Sequence, residues 1–311
     1  MIELWIPVTI AAAFLQNIRS SVQVALKGRL SNAGATYVRF LFAAPVALLA
    51  FAVTSRLSGG LLPEAGGDFV VGVVVGGAAQ VVATGCLLMA ATLRNFAVAT
   101  AYSKTEPILA ALLGLLLLSE PVGPAAVLGI SISVGGVVGL GFARGGVVGA
   151  PGGFLSRLLD RGAVLGIACG ALFGLAAVSY RGASLSLQVA GHPEAAETFL
   201  LRSTFTLSWV LVFQTLLGGV YLRLREPGEL GRIFRAWRPS VLVGLTGAAA
   251  SVGWFSAVTL ENAAYVRTLG QVELLFALGS SRFLLGERMT RGEILGILTI
   301  LIGLLLLIAV R

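Results

Sequence analysis

Glu106 and Glu273 are acids set inside long apolar runs of this 311-residue chain, and each stands in a polar cluster. Tyr102-Ser103-Lys104-Thr105-Glu106-Pro107 interrupts one run halfway; Tyr265, Arg267, Gln271 and Glu273 interrupt another. A charged group at mid-helix depth in a bilayer costs about 2.5–3.5 kcal/mol. It must therefore pair, line water, or do both. The chemistry open to a carboxylate there is proton binding and release, or contact with a polar solute, so Glu106 and Glu273 are the proton-coupling candidates. Pro107 cannot donate to the carbonyl of Ser103 and is expected to kink its helix. A freed carbonyl at that depth is tolerated where the backbone lines a cavity.

Basic residues join them at membrane depth: Arg19, Arg39, Lys104, Arg181, Arg202, Arg267 and Arg282. Arg181 and Arg282 lie close enough to helix ends to snorkel. Two roles are open to Arg39 and Arg202. A guanidinium fork suits a carboxylate or phosphate of a substrate, and it equally suits pairing with Glu106 and Glu273. In the first run Gln16, Arg19 and Gln23 share one helical face, with Asn17 beside it, and that stripe is expected to face the protein interior. The candidate substrate contacts are thus Gln16, Asn17, Arg19, Arg39, Tyr102, Lys104, Glu106, Arg202, Tyr265, Arg267, Gln271 and Glu273.

These residues occur in a pattern stated twice. Shifting the sequence by 167 positions lays 92–140 on 259–307 without a gap. Leu93, Asn95, Ala97, Glu106, Ala110, Glu120, Gly129 and Gly136 fall on Leu260, Asn262, Ala264, Glu273, Ala277, Glu287, Gly296 and Gly303. Gln271 stands where Lys104 does, and Gly270 loosens the second copy in place of a proline. Arg19 and Arg39 correspond more loosely to Arg181 and Arg202. Glu120 and Glu287 read as helix-end and turn chemistry. A duplicated membrane unit with ionisable residues in matching places is how secondary transporters build a site between two halves.

The elements that must carry this pattern are membrane helices. The chain is 57% hydrophobic and 12% charged, with a mean hydropathy of +0.95, against about a quarter charged in soluble domains. Ten windows reach the ~20 apolar residues of a span: 5–26, 33–54, 69–92, 96–118, 124–142, 162–187, 195–221, 239–259, 263–285 and 291–310. The expected fold is an all-α integral membrane protein of ten transmembrane helices in two inverted five-helix repeats. Its parts are 1–142, a Gly-rich linker 143–161, and 162–311. An odd number of spans per copy turns the second copy upside down. The first run lacks the basic n-region of a signal peptide and reads as a mature helix. Cys86 and Cys169 read as small buried hydrophobes. Gly72-x-x-x-Gly76-Gly77 and Gly166-x-x-x-Gly170-x-x-x-Gly174 are spaced for close helix packing.

The net charge of +8 sits in short loops, which points to anionic phospholipid and topology rather than nucleic acid. Lys27, Arg29, Arg94, Arg144, Arg157, Arg161, Arg223, Arg225, Arg232, Arg235, Arg238, Arg288 and Arg291 fall on one side, Arg56 and Arg311 on the other. The positive-inside rule then places both termini outside the cytoplasm. In the stretch 222–239, Leu230, Ile233, Phe234 and Trp237 alternate with Arg232, Arg235 and Arg238. That stretch reads either as a short interfacial helix on anionic headgroups or as a solvated basic loop.

The segment Thr105-Glu106-Pro107 through Ser119-Glu120, with Leu128-Gly129 and Gly135-Gly136, resembles the fourth-to-fifth-helix signature of the EamA-type family of the drug/metabolite transporter superfamily. Arg39-Phe40 resembles that family's Arg-Phe pair, and Leu285-Gly286-Glu287-Arg288-Met289-Thr290 is similar to its closing motif. The resemblance covers nearly the whole chain. It implies ten helices, a central cavity, and transport of small organic solutes such as amino acids, commonly outward. Leu274 departs from the proline usual in the second copy, and the family's cytoplasmic termini oppose the charge tally.

The expected activity is secondary active transport of a small polar, amino-acid-like metabolite across a bacterial cytoplasmic membrane by alternating access. Export is expected, coupled to protons or exchange. The alternative is a flippase or transporter of a lipid-linked or amphiphilic substrate, with arginines taking a phosphate. No G-x-x-x-x-G-K-[ST] signature is present, so a gradient or exchange would supply the energy. His192 lies at a loop and no metal or nucleophile constellation appears at membrane depth, so neither an enzyme nor a cofactor is expected.

Overall fold

The computed structural model describes residues 3–24, 26, 29–91, 102–145, 161–276 and 290–310. Lys27, Arg94, Asn95, Arg157, the linker residues 146–160, Ala277, Arg282, the closing motif through Met289 and Arg311 lie outside these described residues. The described elements are helical. They are α1 (Trp5–Val24), α2 (Asn32–Leu41), α3 (Ala44–Leu57), α4 (Gly67–Ala91), α5 (Glu106–Leu118) and α6 (Pro124–Gly145). Then come α7 (Arg161–Ser186), α8 (Phe199–Arg225), α9 (Glu229–Arg235), α10 (Trp237–Leu260), α11 (Ala263–Leu269) and α12 (Arg291–Ala309). Among the described residues five segments are long and apolar enough to cross a membrane: Asn32–Leu57, Gly67–Leu87, Val164–Ser186, Phe199–Arg225 and Trp237–Leu260. This is an all-α, multi-pass membrane protein.

The window 33–54 is not one uninterrupted helix. It breaks at Phe42 and Ala43 because Pro45 enters α3 in its first turn and has no N–H for the carbonyl of Leu41. Within the stretch 222–239, Glu229–Arg235 form the helix α9, whose Ile233 is fully buried while Phe234 is exposed, as is Trp237 at the start of α10.

The chain folds into two compact units, each drawing on both copies of the repeat. One comprises Met1–Ala78 with Ser179–Glu261, the other Ala79–Val178 with Asn262–Arg311. In the first, α1 packs along α10 and α3 along α8. Glycines set the close approaches there. A Cβ on Gly72 would come 2.8 Å from the Cβ of Ala183, and one on Gly253 would come 2.8 Å from that of Ala12. The stripe on α1 does face inward. Trp254 Nε1 donates to Gln16 Oε1 at 3.0 Å, the stem of Arg19 lies against Gly247, and Gln23 Nε2 donates to the carbonyl of Ala35 at 2.9 Å.

In the second unit α6 and α12 form the most extensive pair, and they are each other's equivalents at the 167-residue offset. Gly136 approaches Ile300 N and Gly303 approaches Ser133 N, while Gly129 meets the carbonyl of Gly303 and Gly136 that of Gly296. Gly136 and Gly303 are mates, and so are Ser133 and Ile300 and Gly129 and Gly296. Exchanging every residue for its mate therefore maps these contacts onto themselves, which is the signature of a two-fold relation. As 129 advances to 136 the partner runs from 303 back to 296, so the two helices are antiparallel. Small residues let the backbones meet, which is how helices associate in lipid.

Candidate functional site

Within the second unit, the chain breaks its helix at the same place in both copies. Tyr102 and Ser103 are helical, Lys104 and Thr105 form a turn, and α5 starts at Glu106 with Pro107 in its first turn. At the equivalent position α11 ends at Leu269, Gly270 and Gln271 form a turn, and helix resumes over 272–276. In the first copy Pro107 has no N–H to donate to the carbonyl of Ser103. In the second, no proline is present, and the amides of Gln271, Glu273 and Leu274 each bond three residues back in tightened turns.

The two breaks touch. Gln271 Nε2 donates to the carbonyl of Lys104 at 3.4 Å, and Ser133 Oγ donates to Gln271 Oε1 at 2.6 Å. Because Lys104 and Gln271 are repeat mates, their contact lies on the local two-fold. One turn away Arg267 Nε stands 3.0 Å from Glu106 Oε1, with side chains 18% and 16% exposed. Glu106 also opens α5, where the helix macrodipole favours negative charge. The carboxylate is thus held by one copy and neutralised by the other. Glu106 and Arg267 are only partly exposed, so removing either partner would leave a poorly solvated charge. Lys104, Tyr102, Tyr265 and Glu273 are half-buried around the same breaks. Gly170 and Gly174 of α7 pack onto them: a Cβ on Gly170 would meet the Ser103 carbonyl at 2.8 Å, and one on Gly174 the Ala110 nitrogen at 3.1 Å.

Within the first unit, Gln16, Asn17, Arg19 and Arg39 are half-buried. The Arg39 guanidinium lies 4.9 Å over the Phe40 ring and within electrostatic reach of Arg19 and Tyr180. Arg202 is 2% exposed, and its donors go to Thr198 Oγ1 at 2.8 Å and to the carbonyls of Leu187 and His192. It ties down the α7–α8 loop. Arg181 donates to the carbonyl of Val258 at 2.8 Å, near the end of α10, where helix carbonyls have no intrahelical partner.

The supporting roles of two residues, Ser133 and Asn262, are not evident from the sequence. Ser133 is a fully buried hydroxyl on an apolar helix, and only its chemistry against an apolar face marks it. Asn262 caps α11 through Ala264 N–H at 2.8 Å and donates to Glu120 Oε2 at 3.3 Å. That fits the helix-end role expected of Glu120. Among the described residues no group of three or more His, Cys, Asp or Glu is arranged to hold a metal, and Cys169 is buried.

A solved structure described as a crystal structure of a protein shares this fold, with TM-score 0.69 over 100% of both chains at 16% identity. No curated protein matches the sequence. The model of the EamA-like transporter family matches residues 4–142 and 195–309, the two stretches that carry the duplicated pattern and both broken helices. The chain belongs to the EamA-like transporter family, membrane transporters rather than enzymes.

Proposed function

We propose that this protein is a secondary active transporter that moves a small polar, amino-acid-like metabolite outward across a bacterial cytoplasmic membrane. Ten spans in two inverted five-helix copies would provide alternating access. The antiparallel, mate-for-mate contacts of α6 and α12 support the inverted arrangement. The observation that carries the reading is the Glu106–Arg267 pair beside two broken helices that meet at Lys104 and Gln271. An acid and a base held side by side match the two ends of a zwitterion. A substrate ammonium would replace Arg267 at Glu106, and its carboxylate would replace Glu106 at Arg267. Protonation of Glu106 would release both contacts, which couples a proton to the cycle; Glu273 is the second candidate. Tyr102, Lys104, Tyr265 and Gln271 would complete the contacts of this unit. Gln16, Asn17, Arg19 and Arg39 are the candidates of the other, and Arg202 is assigned to holding its loop.

Ligand binding to the folded state alone raises apparent stability. A thermal-shift screen of purified protein against zwitterionic amino acids, polyamines and phosphorylated metabolites should select the zwitterions, and the hits should then be transported in proteoliposomes. Selection of a lipid-linked phosphate in the same assays would favour the flippase reading instead.

A further inference from the structure

α9 is anchored on one side and offered to the membrane surface on the other. Its buried face carries Leu230 and Ile233 together with Glu229, which is 2% exposed. Glu229 Oε1 accepts the backbone N–H of Ser31 at 2.6 Å, and Glu226 Oε2 accepts the Ser31 hydroxyl at 2.5 Å. Ser31 in turn caps α2 by accepting from Gly34 N–H at 2.9 Å. The Glu229 carboxylate occupies the space a side chain at residue 34 would fill. Two carboxylates from the α8–α10 connection therefore hold the first turn of α2, the helix that carries Arg39. The other oxygen of Glu229 lies 3.1 Å from Nη1 of Arg232, whose side chain is 59% exposed.

The opposite face is built for an anionic interface. Arg223, Arg225, Arg232, Arg235 and Arg238 are all exposed, interleaved with exposed Leu224, Phe234 and Trp237. Arg238 lies 5.7 Å from the Trp237 ring centroid. The segment joins two membrane-crossing helices, α8 and α10, so it sits at the bilayer surface. Aromatic rings beside guanidinium groups suit the headgroup layer, and each basic residue adds attraction to an anionic leaflet. Arg232 thus has two claimants, the buried Glu229 carboxylate and a lipid phosphate.

We propose that anionic phospholipid binds the Arg223–Arg238 surface and draws Arg232 away from Glu229, loosening the carboxylate clamp on α2. The inference rests on the chain lying in a membrane and is independent of substrate identity.

Hydrogen exchange reads the clamp directly, because the Ser31 and Gly34 amides are held by it. The full-length protein is placed in nanodiscs of phosphatidylcholine alone, or with about 30% phosphatidylglycerol. Exchange across residues 30–36 should be roughly five-fold faster in the anionic discs, the factor one basic group contributes at such a surface. Arg232→Gln should exchange fast in neutral discs and show no further response to phosphatidylglycerol. The Arg235→Gln/Arg238→Gln pair, which leaves the Glu229 contact intact, should behave as wild type in neutral discs and require more phosphatidylglycerol for the same effect. Inorganic phosphate added to neutral discs should change nothing. Equal or slower exchange in anionic discs would overturn the proposal. So would a lipid response that survives Arg232→Gln, or an equal response to free phosphate.

Discussion

The two copies of the repeat put arginines in matching places and give them different work. Arg181 and Arg202, in the second copy, are spent on backbone carbonyls and a threonine hydroxyl. Arg19 and Arg39, their counterparts in the first, lie half-buried within electrostatic reach of each other. The same division appears in the other unit. Glu106 of the first copy is matched with Arg267 of the second, while Lys104 and Gln271 meet as mates. In the α6–α12 contact the packing is symmetric, while the charges beside the two breaks are not. An asymmetric solute needs that combination.

Substitutions at matched positions should separate the two kinds of role. The largest effect is expected for Arg202→Leu, which strands the Thr198 hydroxyl and the carbonyls of Leu187 and His192 that the buried guanidinium holds. Unsatisfied buried partners cost about 1–3 kcal/mol each, so the yield of monodisperse protein should collapse. Arg39→Gln should instead leave yield and melting temperature near wild type and abolish transport. Similar losses of yield in both variants would erase the distinction.

Next comes the α6–α12 contact. Gly303→Ala drives a methyl group into the Ser133 backbone and should cost about 1–3 kcal/mol, read as a lowered melting temperature. Gly135→Ala, where nothing lies within 4 Å of the added carbon, should be neutral to within about 0.5 kcal/mol. Equal effects at the two sites would mean that the glycines are not what brings these helices together.

Smaller still is Leu274→Pro, which restores the first copy's residue type. A proline inside a regular helix costs about 3 kcal/mol or more. Here the helix is already interrupted at Gly270 and Gln271, and the substitution removes a single three-residue turn bond from Leu274 N to the Gln271 carbonyl. A cost of about 1 kcal/mol is expected. A full helix-interior penalty in thermal unfolding would show that the second break is not equivalent to the first.

Much of this organisation was legible in the sequence, for a physical reason. Hydropathy and residue type are local, and the break before Pro107 and the inward stripe on α1 follow from local rules. The 167-residue offset exposed which residues would be mates. What stayed hidden were partners set by tertiary packing. Residue types alone leave Arg39 and Arg202 open between a substrate and pairing with Glu106 and Glu273; the ion pair of Glu106 is with Arg267 of the other copy, because the broken helices meet directly. The commitment of Arg202 depends on the path of the α7–α8 loop. The Glu226–Glu229 clamp on Ser31 joins residues 195 and 198 positions apart, which no window along the chain can see.

The role proposed for Glu106 and Arg267 is that of a functional pair rather than a structural rivet. A double-mutant cycle of Glu106→Gln, Arg267→Gln and the double variant tests it most directly, with melting temperature and proteoliposome transport read on the same preparations. Glu106→Gln is expected to insert, stay monodisperse and fail to transport, and adding Arg267→Gln to recover any lost stability without recovering transport. Normal transport by a well-folded Glu106→Gln protein would contradict it, as would a double variant that regains stability and transport together.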